Sequence, residues 1–528
     1  MRIADWAQRL GPDFDALEAL LPESGTHAWF SIANEARAFI LGAQYLRAPR
    51  KMLVIVPTYE RALQWQARLE LTGVPRDRIG QLPSGSSSLF EDGAHEQIAQ
   101  ADRLAALGML VDDQPNIVLA TPQAALERTL DRATLLDTLL EVKVGDTVEF
   151  DELTRRFVTL GYERQEPVRI PGQFSVRGGI LDVFPTGYDR PLRIELFGDD
   201  VESIRSFDPN TQRSTGTIPA LRLTPSRETL YLHLDESLPG TLLEYAEREA
   251  TLLEPENGRR LLEHVGEDAD RLGQRVYFDR LDLYRPYLHQ GAHGAADLLP
   301  SGGLLVLEEP LELEAIGHRA EEELNQALRN RAARGEMLGA SANDFAQTIE
   351  SLGVRDLLAL SSMNALPDWV KPQTTVEIGA SSLEPYRGRP DAFAETLRTW
   401  LSAGLTLVFG TDQPNRARTV LAGLDVHPAT DPDEAPTEKG VAYLASGNLA
   451  GGFSLPDCKI VVVTDAELFG VGRLRLPQKR FNEGTPVATV LDLKSGDYVV
   501  HINFGIGVFR GLVNKEVAGA QREFLALD

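Results

Sequence analysis

The chain has 528 residues, 43% apolar and 25% charged, a globular composition long enough for three or four domains. Lysine plus arginine total 53 against 78 acidic residues, so the net charge is −25; a surface this acidic excludes the whole chain as a general binder of phosphate backbones and leaves only local basic patches open to that role. The one cysteine, Cys458, excludes a disulfide framework or a Cys-rich zinc site and fits a reducing cytoplasm, and neither a membrane-spanning apolar run nor a signal-peptide core is present.

In chain order, MLVIV (52–56) is an apolar run of strand length closed by Pro57-Thr58, and Ala62, Leu63, Trp65, Gln66 and Leu69 follow at near-helical spacing. NIVLA (116–120), Thr121-Pro122 and QAALERTL repeat the unit, which predicts a parallel sheet with crossover helices. From about 126 to 220 short runs are broken by Arg177-Gly178-Gly179, PTGYDRP and Gly198-Asp199-Asp200. Within them Leu192, Ile194 and Leu196 alternate with Arg193, Glu195 and Phe197, the period of a half-buried strand. An antiparallel meander inserted into the α/β domain is predicted. Helix follows at 244–265, then the buried strand GLLVLEEP (303–310), then a further α/β unit at 373–472. PATDPDEAPTEKG (428–440) reads as an acidic loop and GRLRLPQKRFNEG (472–484) as a basic linker. The last 38 residues open a different β module, and EFLALD reads as a strand with nothing to pair against, so a fragment of a longer protein is expected.

Strand, Thr-Pro and helix units of this kind recur in nucleotide-driven motors, but a P-loop needs Gly-Lys-Ser/Thr. None of the eight lysines follows a glycine. In ESGTHAWFSIANEARAFI, where the loop is expected, Gly25 and Thr26 are present while Glu35–Arg37 replace the lysine. Glu308 and Glu309 stand where a magnesium-binding pair belongs and read as solvated strand-end charges without phosphate ligands. The site is therefore expected to be dead for ATP. His289 and His293 have the i, i+4 spacing of a zinc pair on a poor helix, with no acidic residue between them, and no metal site is assigned. Gly505, Gly507 and Gly511 form GxGxxxG between strands rather than ahead of a helix, and are expected to serve turns of a small barrel. No catalytic residue and no cofactor is assigned.

Arg155, Arg156, Arg164, Arg169 and Arg177 fall within 23 residues, interleaved with Tyr162 and Phe174. Arginine forks with aromatics are the material of protein–protein hot spots. An ordinary charged face offset by Glu163 and Glu166, or a weak and salt-sensitive DNA contact, are the alternatives on these residues alone.

The run GYERQEPVRIPGQFSVRGGILDVFPTGYDRPLRIELFGDDVESIRSFDPNTQRS (161–214) resembles the inserted domain shared by UvrB and the bacterial transcription-repair coupling factors, which docks UvrA. GDYVVHINFGIGVFRGL (496–512) resembles the RNA-polymerase-interacting module of the coupling factors, a Tudor-like barrel shared with CarD-type regulators. The two in this order point to the coupling-factor family. The resemblance implies a multidomain α/β protein. A degenerate RecA-like, helicase-like domain (1–125 and 221–372) would be interrupted by the β-rich dock (126–220). A small α/β domain (373–472), a basic linker (473–490) and an incomplete Tudor-like barrel (491–528) would follow. It also implies a cytoplasmic adaptor binding UvrA and the RNA polymerase β subunit, with DNA engaged mainly by a motor beyond Asp528. UvrB has a P-loop and an aromatic hairpin after its Thr-Pro-equivalent turn; here QAALERTLDRATLLDTLL is expected to run straight on as helix. Residue by residue, Arg164 matches the arginine after Tyr-Glu. Arg177 matches the second arginine of the Arg-x-Arg-Gly-Gly-like turn, with Ser175 replacing the first, and Phe174 is expected as an apolar anchor. The polymerase contact is expected from an edge strand, Leu512, Val513, Asn514, Lys515, Glu516 and Val517, by backbone pairing. A UvrB-type helicase component with an atypical ATP site is the enzyme alternative.

Overall fold

The computed structural model describes residues 2–470, less 9, 11–13, 16, 18–20, 22, 86–94, 233, 290–292, 387–388 and 430–439, together with 498–501, 505–517 and 520–527. The chain divides into two compact units, Met1–Arg475 and Leu476–Asp528. In the first, β1 (Thr26–Ile32), β2 (Met52–Ile55), β3 (Ile79–Leu82) and β4 (Ile117–Ala120) alternate with helices, as their apolar runs predict. Thr58 caps the helix Tyr59–Thr72 by accepting the Arg61 N–H at 3.2 Å, and Gly73 ends it with φ 115°. Thr121 caps Pro122–Leu126 in the same way, accepting the Ala124 N–H. The punctuation between strand and helix is thus a pair of threonine caps.

The expected continuous helix after Thr121 is not formed. Pro122–Leu126 stops, and a new helix runs Arg132–Thr138. Two polar requirements break it: Glu127 turns inward to Arg103 at 3.1 Å, and Asp131 accepts the Thr134 N–H at 3.0 Å as a fresh N-cap.

The β-rich insertion follows. β5 (Leu140–Lys143) pairs antiparallel with β12 (Ala220–Leu223), closing its two ends together. Between them β6 (Glu163–Arg164), β7 (Gln173–Arg177), β8 (Ile180–Val183), β9 (Leu192–Phe197), β10 (Asp200–Phe207) and β11 (Ser214–Thr217) form a six-stranded sheet, β11-β10-β9-β8-β7-β6. Its pairs are antiparallel except β6–β7. The helix Phe150–Thr159 packs Phe157 and Leu153 onto one face, against Phe174, Leu181, Val183, Leu192 and Ile194.

The chain then returns to the α/β layer. The predicted helix at 244–265 is two helices, Leu238–Ala250 and Pro255–Gly273, because Pro255 starts a new N-terminus. β13 (Leu304–Glu308), β14 (Leu357–Leu360), β15 (Thr374–Ser382), β16 (Thr406–Thr411), β17 (Ala442–Ser446), β18 (Phe453–Leu455) and β19 (Ile460–Thr464) complete the layer. Among the described residues these strands join β1–β4 in one eleven-stranded sheet, β17-β16-β19-β18-β15-β1-β14-β13-β2-β4-β3. β18 is antiparallel to both neighbours and every other pair is parallel. Both faces are covered: Met52 and Val54 enter one core with Trp29 and Phe39, while Leu53 and Ile55 enter the other with Leu104 and Leu305. That double burial is why these strands read as unbroken apolar runs.

The second unit holds β20 (Tyr498–His501), β21 (Gly505–Val517) and β22 (Ala520–Leu527), an antiparallel meander in that order. The terminal strand is paired after all. Ala520–Leu527 lies against Phe509–Val517, so residues 523–527 of EFLALD complete a hairpin. Gly505 and Gly507 sit inside paired strand rather than in turns, and Gly511, with φ 132°, takes the position where the pairing register shifts. The basic stretch Arg473, Arg475, Lys479 and Arg480 and the acidic loop 430–439 lie outside the described residues.

Candidate docking face and the closed strand ends

Parallel sheets place functional loops at the carboxyl ends of their strands. Here that place is filled. Gly25 precedes β1 and Thr26 is its first residue, so neither follows the strand, and the chain passes from β1 to the helix Asn34–Arg47 through Ala33 alone. Arg37, on the first turn of that helix, folds back over the strand end, with no exposed surface. Its Nη1 donates to Glu308 Oε1 at 2.9 Å, its Nη2 donates to Glu309, and its Nε and Nη2 reach the Ile32 carbonyl at 3.1 and 2.9 Å. Arg61 Nε stands 3.7 Å from the second oxygen of Glu308. Glu309 also accepts the Ser362 N–H at 3.0 Å. Burial pushes the Glu309 carboxyl up, but Arg37 and the Ser362 hydrogen bonds outweigh it and hold the group below its ordinary range. Glu308 and Glu309 are therefore an internal ion cluster, not the solvated strand-end charges expected from sequence.

The two histidines are also accounted for. His289 ends the short helix Arg285–Leu288 and its Nε2 accepts the Leu230 N–H at 3.2 Å. Burial and then Arg285 press the ring down to about 4, which keeps it a neutral acceptor. His293 pairs by its backbone with Thr129.

The insertion is different. Its sheet has one buried face and one wet face, and cross-strand register lays out the wet one in rows. Ser175, Asp182, Arg193 and Arg205 lie side by side across β7, β8, β9 and β10, and Arg177, Ile180, Glu195 and Ser203 form the next row. Arg193 makes a two-pronged pair with Asp182, both contacts 2.7 Å, and covers the Phe207 ring at 4.9 Å. The hydrogen bonds that Arg193 donates to Asp182 raise it above its ordinary range. Glu195 accepts from Ser203 at 2.7 Å and pairs with Arg205 at 3.0 Å. Arg177, at the β7–β8 turn, pairs with Glu166 while 80% of its side chain stays in water. Phe197, at the end of β9, is 74% exposed.

Sequence reading and structure part company over the aromatic. Phe174 is 1% exposed and stacks on Phe157 with ring centroids 5.5 Å apart, so it belongs to the core and offers nothing to a partner. Strand alternation decides this: Phe174 faces inward and Arg177, three residues on, outward. Tyr162 is likewise buried. Arg164 is exposed on β6, paired in register with β7. Arg155 and Arg156 are on the helix, where Arg155 meets Glu152 at 2.7 Å and Arg156 donates to the Asp137 carbonyl at 2.5 Å. The five arginines do not form one patch. Arg193, Glu195 and Phe197 were not selected from sequence, yet the alternation of LRIELF already placed all three on the polar phase. An aromatic in that phase was the available signal.

In the second unit, Leu512–Val517 pair on one side with Ala520–Leu525. β20 pairs farther back, with Gly505–Val508, so among the described residues the opposite edge of 512–517 carries no strand.

Comparison with known proteins agrees with this layout. A family model described as UvrB interaction domain matches residues 140–228, and one described as CarD-like/TRCF RID domain matches 493–528. A third, cyanobacterial Mfd, Rossmann-like domain, matches 382–470. A transcription-repair-coupling factor of Bacillus subtilis (strain 168) is 29% identical over 442 residues, 81% of this chain and 37% of its own length. That of Myxococcus xanthus is 29% identical over 483 residues, covering 85% and 39%, and that of Staphylococcus haemolyticus (strain JCSC1435) is 23% identical over 510, covering 94% and 43%. The chain is similar to the transcription-repair-coupling factors. The resemblance seen in its two motifs extends over most of the sequence, and the chain spans about two fifths of the length of these relatives. Among the described residues no helix is long and apolar enough to cross a membrane.

Proposed function

We propose that this chain is a cytoplasmic adaptor of transcription-coupled DNA repair, recruiting UvrA with the wet face of its six-stranded sheet and gripping RNA polymerase with its terminal β module. The observation that carries the first half is the exposed Phe197 on the same face as Arg177, Arg193 and Glu195. An aromatic left in water beside arginine forks is hot-spot material, and it lies inside the segment matched by the UvrB interaction model. Phe197 takes the anchor role expected of Phe174; Arg177 and Arg164 keep theirs. For the second half, the open edge of Leu512–Val517 suits addition of a strand from the polymerase β subunit, in a module we read as Tudor-like.

The eleven-stranded layer we read as a degenerate RecA-like domain joined to a small α/β domain. Arg37 fills the position a nucleotide phosphate would need, which supports an adaptor that hydrolyses no ATP. DNA translocation we assign to the part of the relatives' length that this chain does not span. The test is a pull-down of the purified chain with UvrA and with the polymerase β subunit as separate baits. Capture by both is expected. Val513→Pro should abolish only the polymerase capture, because proline cannot serve as a donor in a strand ladder. DNA-stimulated phosphate release by the chain would defeat the adaptor reading.

A further inference from the structure

The helices between the insertion and β14 enclose a cavity of about 240 Å³, lined by Tyr284, Pro286, Tyr287, Met337, Leu338 and Asp344 among others. Its walls are fixed from behind. The Tyr284 hydroxyl donates to the buried Asp268 at 2.9 Å, Tyr287 leans on Tyr245 with centroids 6.2 Å apart, and Asp344 accepts the Ser341 N–H at 2.7 Å. Glu249 accepts the N–H of Gly339, itself on the cavity wall, at 2.8 Å. The volume is below the roughly 300–1,000 Å³ of small-molecule sites and suits one long side chain. Burial pushes the Tyr287 hydroxyl up to about 12, and Glu249 and Asp344 add to the rise. Among the described residues no lysine or arginine lines the cavity. The same aromatic cluster already accepts a guanidinium on its flank, where Arg248 lies over Tyr245 at 5.2 Å.

We infer that this cavity is a receptor for a single cationic side chain, an arginine or lysine presented by a peptide segment of a partner, held between the lining tyrosines and the Asp344 carboxylate. It is separate from the docking face and does not depend on the function proposed above.

The chain has five methionines, and of these Met337 alone lines the cavity, so a spectrum of the full chain labelled at methionine methyls reads the site directly. The probe is Ac-Gly-Arg-Gly-NH2, compared with the same tripeptide carrying citrulline or norleucine. The arginine peptide should move the Met337 signal saturably, and the citrulline and norleucine peptides should bind at least about fivefold more weakly. Asp344→Asn should weaken the arginine peptide about three- to tenfold, with the other four methyl signals in place as evidence of folding. A Met337 signal unmoved by the arginine peptide, or moved equally by all three, would overturn the inference.

Discussion

At the carboxyl ends of β1 and β13, Arg37 lies wholly inside the protein between Glu308 and Glu309, whereas on the insertion Arg177 meets Glu166 with most of its side chain in water. Both sites are arginine against glutamate. Burial separates them. Inside, each charge depends on the other, since losing one partner strands the other without water; the pair therefore locks the strand ends shut. Outside, water screens the pair and its net worth is small, so the arginine stays in solvent. The same two residue types thus make a buried lock in one place and a solvent-exposed pair in the other.

The largest effect that sharpens this contrast is at the closed end. Arg37→Met should cost about 3–5 kcal/mol in urea unfolding, because it leaves Glu308 buried with only Arg61, 3.7 Å away, as its charged partner, and the double change Arg37→Met with Glu308→Leu should recover much of that loss. A single variant as stable as the parent would break the comparison. Next come the two phenylalanines of the insertion. Phe174→Ala should cost about 3–5 kcal/mol by emptying the space beside Phe157, while Phe197→Ala should leave stability within about 0.5 kcal/mol.

Acid gives a smaller, signed test. Glu309 has a folded pKa below its ordinary value, so its contribution is complete above the ordinary carboxylate range and is lost as pH falls through the folded value. Stability measured from neutral pH downward should therefore fall less steeply in Glu309→Gln than in the parent. The smallest effect belongs to the outer pair: Glu166→Gln should change stability by under about 1 kcal/mol, read by the same unfolding curves.

The parallel strands were legible because burial on both faces writes itself as apolar runs such as MLVIV and NIVLA. The alternation of LRIELF likewise fixed which residues of β9 face water. The closed site was hidden for a reason of distance: Arg37 and Glu308 are 271 positions apart, and no local pattern shows a carboxylate at a strand end whether its cation is in solvent or across the sheet. Phe174 was misread because QFSVR is too short and mixed to reveal its phase, so an aromatic among arginines looked like an anchor. The break after Leu126 escaped for a similar reason, since Glu127 and Asp131 are tolerable inside a helix and only their partners, Arg103 and the Thr134 N–H, pull them out of one.

The central claim is that the wet face of the insertion, not the closed strand ends, is where this protein meets its repair partner. The direct measurement is the affinity of the purified chain for UvrA, by calorimetry, with and without the paired change Arg177→Glu and Phe197→Ala. The account predicts at least a hundredfold loss of affinity, about 3 kcal/mol, with the thermal midpoint of the chain unmoved. Undiminished affinity in that folded variant would contradict it.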